Sequence, residues 1–219
     1  MNLEQARANM IEQQIRPWNV LDQTVLDVIA EVPRDAFVAP EHASLAYCDT
    51  TISLGGGQHM LNPNVEGRLL QSLALRGDES VLLVGTGSGY VCACLAKLAR
   101  SVRAVDINAD FTAAAQARLD KLGINNVTLE TGDACSGWAG DEQFDAIAIS
   151  GAVSSIPESY AQQLTVGGRL FAIIGEADQP IMQAMLITRA TQDRFETESM
   201  FETRASCLTV PASADKFVF

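Results

Sequence analysis

The chain has 219 residues, 47% hydrophobic and 19% charged, which is enough apolar material for one sizeable core and excludes a disordered or collagenous polypeptide. Fifteen Lys and Arg stand against 27 Asp and Glu, a formal charge of -12, and this scattered negative charge repels phosphate backbones and acidic headgroups, so no nucleic-acid and no membrane partner is expected. Five cysteines without a C-x-x-C pair, and only two histidines, exclude a disulfide framework and a histidine-rich metal site.

The opening MNLEQARANMIEQQIR is polar and lacks the apolar region of a secretory signal, and no stretch approaches the roughly 18 apolar residues of a membrane span. A cytoplasmic location is expected. Leu3, Ala6, Met10, Ile11 and Ile15 recur at helical spacing, which predicts a helix over 3–15 that Pro17 stops. A second helix follows, capped by Asp22, with Val25, Leu26, Val28 and Ile29 on its apolar side and Pro33 at its end. An irregular stretch runs from Phe37 through GGGQHMLNP. Asn62 and Pro63 then read as N-cap and first position of a helix whose apolar face is Val65, Leu69, Leu70 and Leu73 and which ends near Gly77.

From Ser80 onward, short apolar runs alternate with helix-length segments. Strands are predicted over 81–84, 102–105, 127–130, 144–149 and 169–174, and helices over 90–100 and 111–122 and around 159–164. Cys92 and Cys94 fall inside the first of these helices, where they read as small packed hydrophobes. Alternation of this kind predicts an α/β fold, a Rossmann-like, doubly wound, mostly parallel sheet covered by helices on both faces. Antiparallel C-terminal strands over 184–188 and 195–204 follow, and the chain finishes at Phe217, Val218 and Phe219. Residues 1–79 are read as an N-terminal helical extension with a substrate-lip loop, and 80–219 as the ligand-binding domain.

The segment VLLVGTGSGY places Gly85, Thr86, Gly87 and Gly89 between a strand and a helix, where an open α/β sheet binds nucleotide-like ligands. The second strand ends at Asp106, followed by Ile107; a carboxylate there can accept hydrogen bonds from both hydroxyls of a ribose. Gly132 and Asp133 end the third strand, where they would border an adenine, and Ser150 ends the fourth. A nicotinamide dinucleotide and S-adenosyl-L-methionine both suit this layout. The third glycine of GTGSG lies one place early for the dinucleotide fingerprint G-x-G-x-x-G, which tilts the choice toward the methyl donor.

Taken together, MIEQQIRPWNVLDQTVLDVIAEVPRDAFV, GGGQHMLNP, VLLVGTGSGY, NVTLETGDACSGW, FDAIAIS and LTVGGRLFAIIG resemble the protein-L-isoaspartate O-methyltransferase family in order and spacing. The resemblance implies a Rossmann-like methyltransferase that uses S-adenosyl-L-methionine to methylate the α-carboxylate of L-isoaspartyl residues. Its partner would be a damaged protein or peptide substrate. After the fourth strand stands SGAVSS, without the N/D-P-P-Y that amino-methylating enzymes of adenine carry.

Two positions depart from the family pattern. Thr-Ile-Ser usually follows the Gly-Gln of the lip, with its serine near the reacting methyl, and His59, Met60 and Leu61 occupy those places here. His59 and Leu61 are therefore the candidate catalytic positions, with His59 as the available replacement donor. An Asp or Glu usually stands two residues before the first loop glycine to hold the donor's amino-acid portion, and that residue is Leu83. An altered substrate or a non-catalytic relative are the alternatives these two positions leave open.

Overall fold

The computed structural model describes residues 2–138 and 140–209, so the end of the chain at Phe217, Val218 and Phe219 lies outside the described residues. Helix α1 (Leu3–Met10) continues through a π turn at Ile11–Ile15 and a 3₁₀ turn at Arg16–Trp18. Pro17, with no N–H to donate, closes the run as expected. Helix α2 (Gln23–Glu31) is capped by Asp22, whose carboxylate accepts from the backbone N–H of Thr24 at 2.8 Å, a contact contributing about 1 kcal/mol.

Part of the stretch read as irregular is a hairpin, β1 (Ile52–Gly55) and β2 (Gln58–Met60), paired antiparallel. Helix α3 (Pro63–Leu73) stops earlier than Gly77, at Ala74 in the left-handed region with φ 45°. The reason is a competing acceptor. The backbone N–H groups of Arg76 and Gly77 donate to the Glu79 carboxylate at 2.9–3.0 Å instead of continuing a helical ladder.

The alternating half follows the predicted order. It comprises β3 (Ser80–Val84), α4 (Tyr90–Leu98), β4 (Ser101–Asp106), α5 (Ala109–Lys121), β5 (Val127–Thr131), β6 (Phe144–Val153), α6 (Glu158–Gln162), β7 (Leu164–Ile174), β8 (Met182–Arg189) and β9 (Phe195–Thr203). They form a seven-stranded sheet in the order β5-β4-β3-β6-β7-β8-β9. The first five are parallel, and β8 and β9 are antiparallel. Strand β6 runs beyond the expected end at Ile149, because a register shift between Ala148 and Ala152 lets it resume pairing with β7.

Alternation along β3 sorts its side chains into two cores. Val81 and Leu83 join a buried cluster with Ile29 of α2, Leu69 and Leu73 of α3, and Cys92 and Cys94 of α4. Burial pushes the Cys92 thiol up to about 12, so it packs as a neutral hydrophobe. Leu82 and Val84 join Val105, Ile147, Ile149 and Tyr160 on the opposite face. Residues before and after position 80 thus share one core. No helix among the described residues is long and apolar enough to cross a membrane.

Candidate functional site

In a parallel sheet every strand delivers its chain to the same rim, and ligands of open α/β sheets bind beyond the carboxyl ends of the strands. Gly85 leaves β3 there, Asp106 ends β4, Gly132 and Asp133 follow β5, Ser150 lies in the upper part of β6, and Gly175 and Glu176 follow β7. A cleft of about 540 Å³ runs across these ends, within the size range of small-molecule sites. Val84, Val105, Ile107 and Ile149 supply its apolar wall, and Asp106, Asp133, Glu176 and His59 are among its polar lining.

Gly85 and Gly87 adopt φ of 87° and 51°, in the left-handed region that glycine enters without strain. A side chain at Gly85 would also lie 2.7 Å from the Ser150 hydroxyl, which donates to the Gly85 carbonyl and, at 3.3 Å, to that of Val84. Ser150 therefore ties β6 to the loop. The Gly87 N–H donates to Asp106 Oδ2 at 3.0 Å, and Asn108 N–H donates to Oδ1 at 2.9 Å. Each carboxylate oxygen has further acceptor capacity, and Asp106 is itself on the cleft wall.

The turn after β5 is built from below. Tyr160, buried, donates its hydroxyl to the Ala134 carbonyl, and burial raises its pKa so that it remains a neutral donor. Asp133 accepts from the Cys135 N–H at 2.9 Å, and hydrogen bonding from Cys135 holds its exposed carboxyl below the usual range. Gly132 is small for a steric reason, since a Cβ there would come within 2.5 Å of the Trp138 ring.

Two segments roof the cleft. One is the lip, with Leu54, Gly55, Gly56, Gln58 and His59. The other is a strap after β9, Ser206, Cys207, Leu208 and Thr209. The strap is pinned to β6 by Ala152 N–H donating to the Ser206 carbonyl and Leu208 N–H donating to the Ala152 carbonyl, both at 2.9 Å. Gln58 Nε2 donates to the Cys207 carbonyl at 3.0 Å, and His59 Nδ1 lies 3.0 Å from the Ser206 hydroxyl.

Gly85, Gly87, Asp106, Ile107, Gly132, Asp133, Ser150 and His59 thus come together on one cleft. Thr86, Gly89 and Leu61 do not line it. Thr86 is buried, with its hydroxyl unpartnered among the described residues. Gly89 starts α4, where a Cβ would press to 2.9 Å against that of Ala115 in α5, so its place is a helix contact. Leu61 is 5% exposed and packs in the main core. Leu83, the position of the family's acidic anchor, is wholly buried on the sheet face opposite Val84.

Sequence reasoning missed the strap, Glu176 and Tyr160, which carry no local motif. It also missed the anchor of the lip. Arg34, fully buried, donates from Nε to Glu66 at 2.9 Å, from Nη1 to the Ala46 carbonyl at 2.8 Å and from Nη2 to the Leu61 carbonyl at 2.7 Å. Burial works against the guanidinium cation, but the Glu66 carboxylate more than offsets this and raises its pKa.

This sheet order, with a glycine loop after β3 and an acidic residue at the end of β4, defines a Rossmann-like methyltransferase. The chain matches the model of the protein-L-isoaspartate(D-aspartate) O-methyltransferase family over residues 5–213 and belongs to that family. A protein-L-isoaspartate O-methyltransferase of Methylorubrum populi is 40% identical over 193 residues, spanning 88% of this chain and 89% of its own. One from Geobacter metallireducens is 37% identical, spanning 84% and 85%. A solved Plasmodium falciparum chain described under the same enzyme name, in complex with S-adenosyl-L-homocysteine, shares the fold at a TM-score of 0.77 and 19% identity, over 95% of this chain and 99% of that one.

Proposed function

We propose that this chain is an S-adenosyl-L-methionine-dependent methyltransferase acting on the α-carboxylate of L-isoaspartyl residues in damaged proteins or peptides. The observation that carries the reading is the cleft itself, in a chain of this family. It joins a glycine loop, a cleft-lining carboxylate at Asp106 and an apolar wall, a donor set suited to a ribose, an adenine and a cationic sulfonium. S-Adenosyl-L-methionine, when bound, supplies an activated methyl group.

The chain's own residues bind and align. Asp106 accepts from ribose hydroxyls, while Ile107, Gly132 and Asp133 border the adenine, and Gly85 and Gly87 let the backbone approach the amino-acid portion. Thr86, Gly89 and Ser150 keep the loop in shape. The carboxylates of Asp106, Asp133 and Glu176 line the same cleft, and their negative charge favours a cationic donor there. His59 donates to the substrate carboxylate, which is already ionised at neutral pH and needs orientation more than a base. In this reading residues 1–79 form the extension that carries the lip and 80–219 the donor-binding domain.

A second reading, a relative with an altered carboxylate substrate, rests on Leu61, whose side chain has no hydroxyl and is buried away from the cleft. The test is calorimetric titration with S-adenosyl-L-methionine, then methyl transfer to an isoaspartyl peptide and to its aspartyl twin. Micromolar donor binding with transfer only to the isoaspartyl peptide is expected. Donor binding with no transfer to that peptide moves the assignment to the altered substrate, and no donor binding overturns both.

A further inference from the structure

Met60 and Leu61 carry no hydroxyl and are both buried, so these two lip positions offer none to the cleft. The strap offers one. Ser206 lines the cleft and its Oγ lies 3.0 Å from His59 Nδ1, although the two residues are 147 positions apart. Both backbones are fixed independently. The Ser206 carbonyl is held by Ala152 N–H at 2.9 Å, and His59 sits in β2 opposite Ser53. The neighbouring Gln58 repeats the lip-to-strap connection, donating to the Cys207 carbonyl at 3.0 Å and to the Thr209 hydroxyl at 3.2 Å.

The direction of the Ser206–His59 bond depends on the imidazole tautomer, and the two tautomers pair different numbers of protein groups. A hydroxyl has one proton to donate, and among the described residues the only group hydrogen-bonded to Ser206 Oγ is His59 Nδ1. If Nδ1 carried the proton, the hydroxyl would have no acceptor among the described residues and would turn to solvent. If Nδ1 accepts, the hydroxyl is satisfied and the imidazole proton resides on Nε2, at the other side of the ring.

We infer that Ser206 is a positioning residue that holds His59 in its Nε2-protonated tautomer, making the ring a neutral N–H donor for the substrate carboxylate. The hydroxyl absent from position 61 is thereby replaced from the strap, acting through a histidine. The substrate role rests on the function proposed above, whereas the tautomer does not.

The test separates them. The full chain contains only two histidines, so a His42→Gln background leaves His59 as the sole signal in long-range ¹H–¹⁵N correlation spectra. At about pH 8.5, above the ordinary histidine range, the Nε2–H form is expected alone. Ser206→Ala should give a mixture of tautomers, and Ser206→Thr should restore the single form. In kinetics with the isoaspartyl peptide, Ser206→Ala should lower kcat/KM by about 10-fold, the loss of one charge-assisted hydrogen bond. Donor affinity should stay within about 2-fold, and Ser206→Thr should recover the rate. An Nδ1–H form in the parent, or spectra indifferent to Ser206→Ala, overturns the inference even where methyl transfer is intact. A parent chain that leaves the peptide unmethylated overturns the substrate role, and the spectra still decide the tautomer.

Discussion

Asp106→Asn is the substitution that tests the cleft most directly. The carboxylate does two jobs at once. It accepts the Gly87 and Asn108 N–H groups, at 3.0 and 2.9 Å, and it presents its remaining lone pairs to the cleft. An amide keeps one oxygen and turns an NH₂ toward one of those two backbone donors. One charge-assisted acceptor for a ribose hydroxyl is lost, about 1.5–3 kcal/mol, or roughly 10- to 150-fold in affinity for S-adenosyl-L-methionine. The same loss on the backbone side costs stability of similar size, a fall in Tm of roughly 3–12 °C for a chain of this length. Calorimetry on the folded variant, alongside thermal melting followed by circular dichroism, reads both effects. Donor affinity within about 2-fold of the parent, in a variant with an ordinary melting transition, would refute the assignment of Asp106 to the donor.

Leu83→Glu should not tighten donor binding, although the family's anchor stands at that position. Leu83 is fully buried in the core shared with α3 and α4, so an unpaired carboxylate there should cost about 3 kcal/mol or more in urea unfolding; a stable, tighter-binding variant would show that position 83 reaches the cleft. Arg34→Met strands a buried Glu66 and should cost about 3–5 kcal/mol, while adding Glu66→Leu should recover much of that; equal instability of the single and double variants would show that the ion pair is not the source. Stability should also fall at acid pH. Burial pushes the Glu79 carboxyl up, but backbone N–H groups from Arg76 and Gly77 and the charge of Arg169 outweigh it, leaving its pKa below the ordinary 4.5. Its contribution is complete above that value and is lost as pH falls through the lower folded value, so Glu79→Gln should flatten the acid limb of the urea midpoint below about pH 5.

The alternating half of the fold was legible because its signals are local. The apolar runs at 81–84 and 102–105 have strand length, Pro17 and Asp22 mark helix ends by their own covalent chemistry, and Gly85 and Gly87 sit where a strand must turn into a helix. The same locality placed Asp106 and Asp133 at successive strand ends, since parallel strands deliver their termini to one rim. The hairpin of β1 and β2 was harder, because three glycines in a row loosen any pattern that would specify pairing. Helix α3 ended early because of a carboxylate several residues further on.

What the amino-acid order determined was therefore the sheet, its glycine loop and the rim on which a ligand must sit, all set by periodicity and backbone restriction within a few residues. Only the tertiary structure decided which side chains close that rim. Leu83 and Val84 are adjacent apolar residues, and alternation sends one to the core and the other to the cleft. Arg34 and Glu66 are ordinary charged residues until burial makes each the other's partner. Ser206 and His59 meet only because β6 holds the strap above the lip, a contact between distant segments that no local pattern encodes.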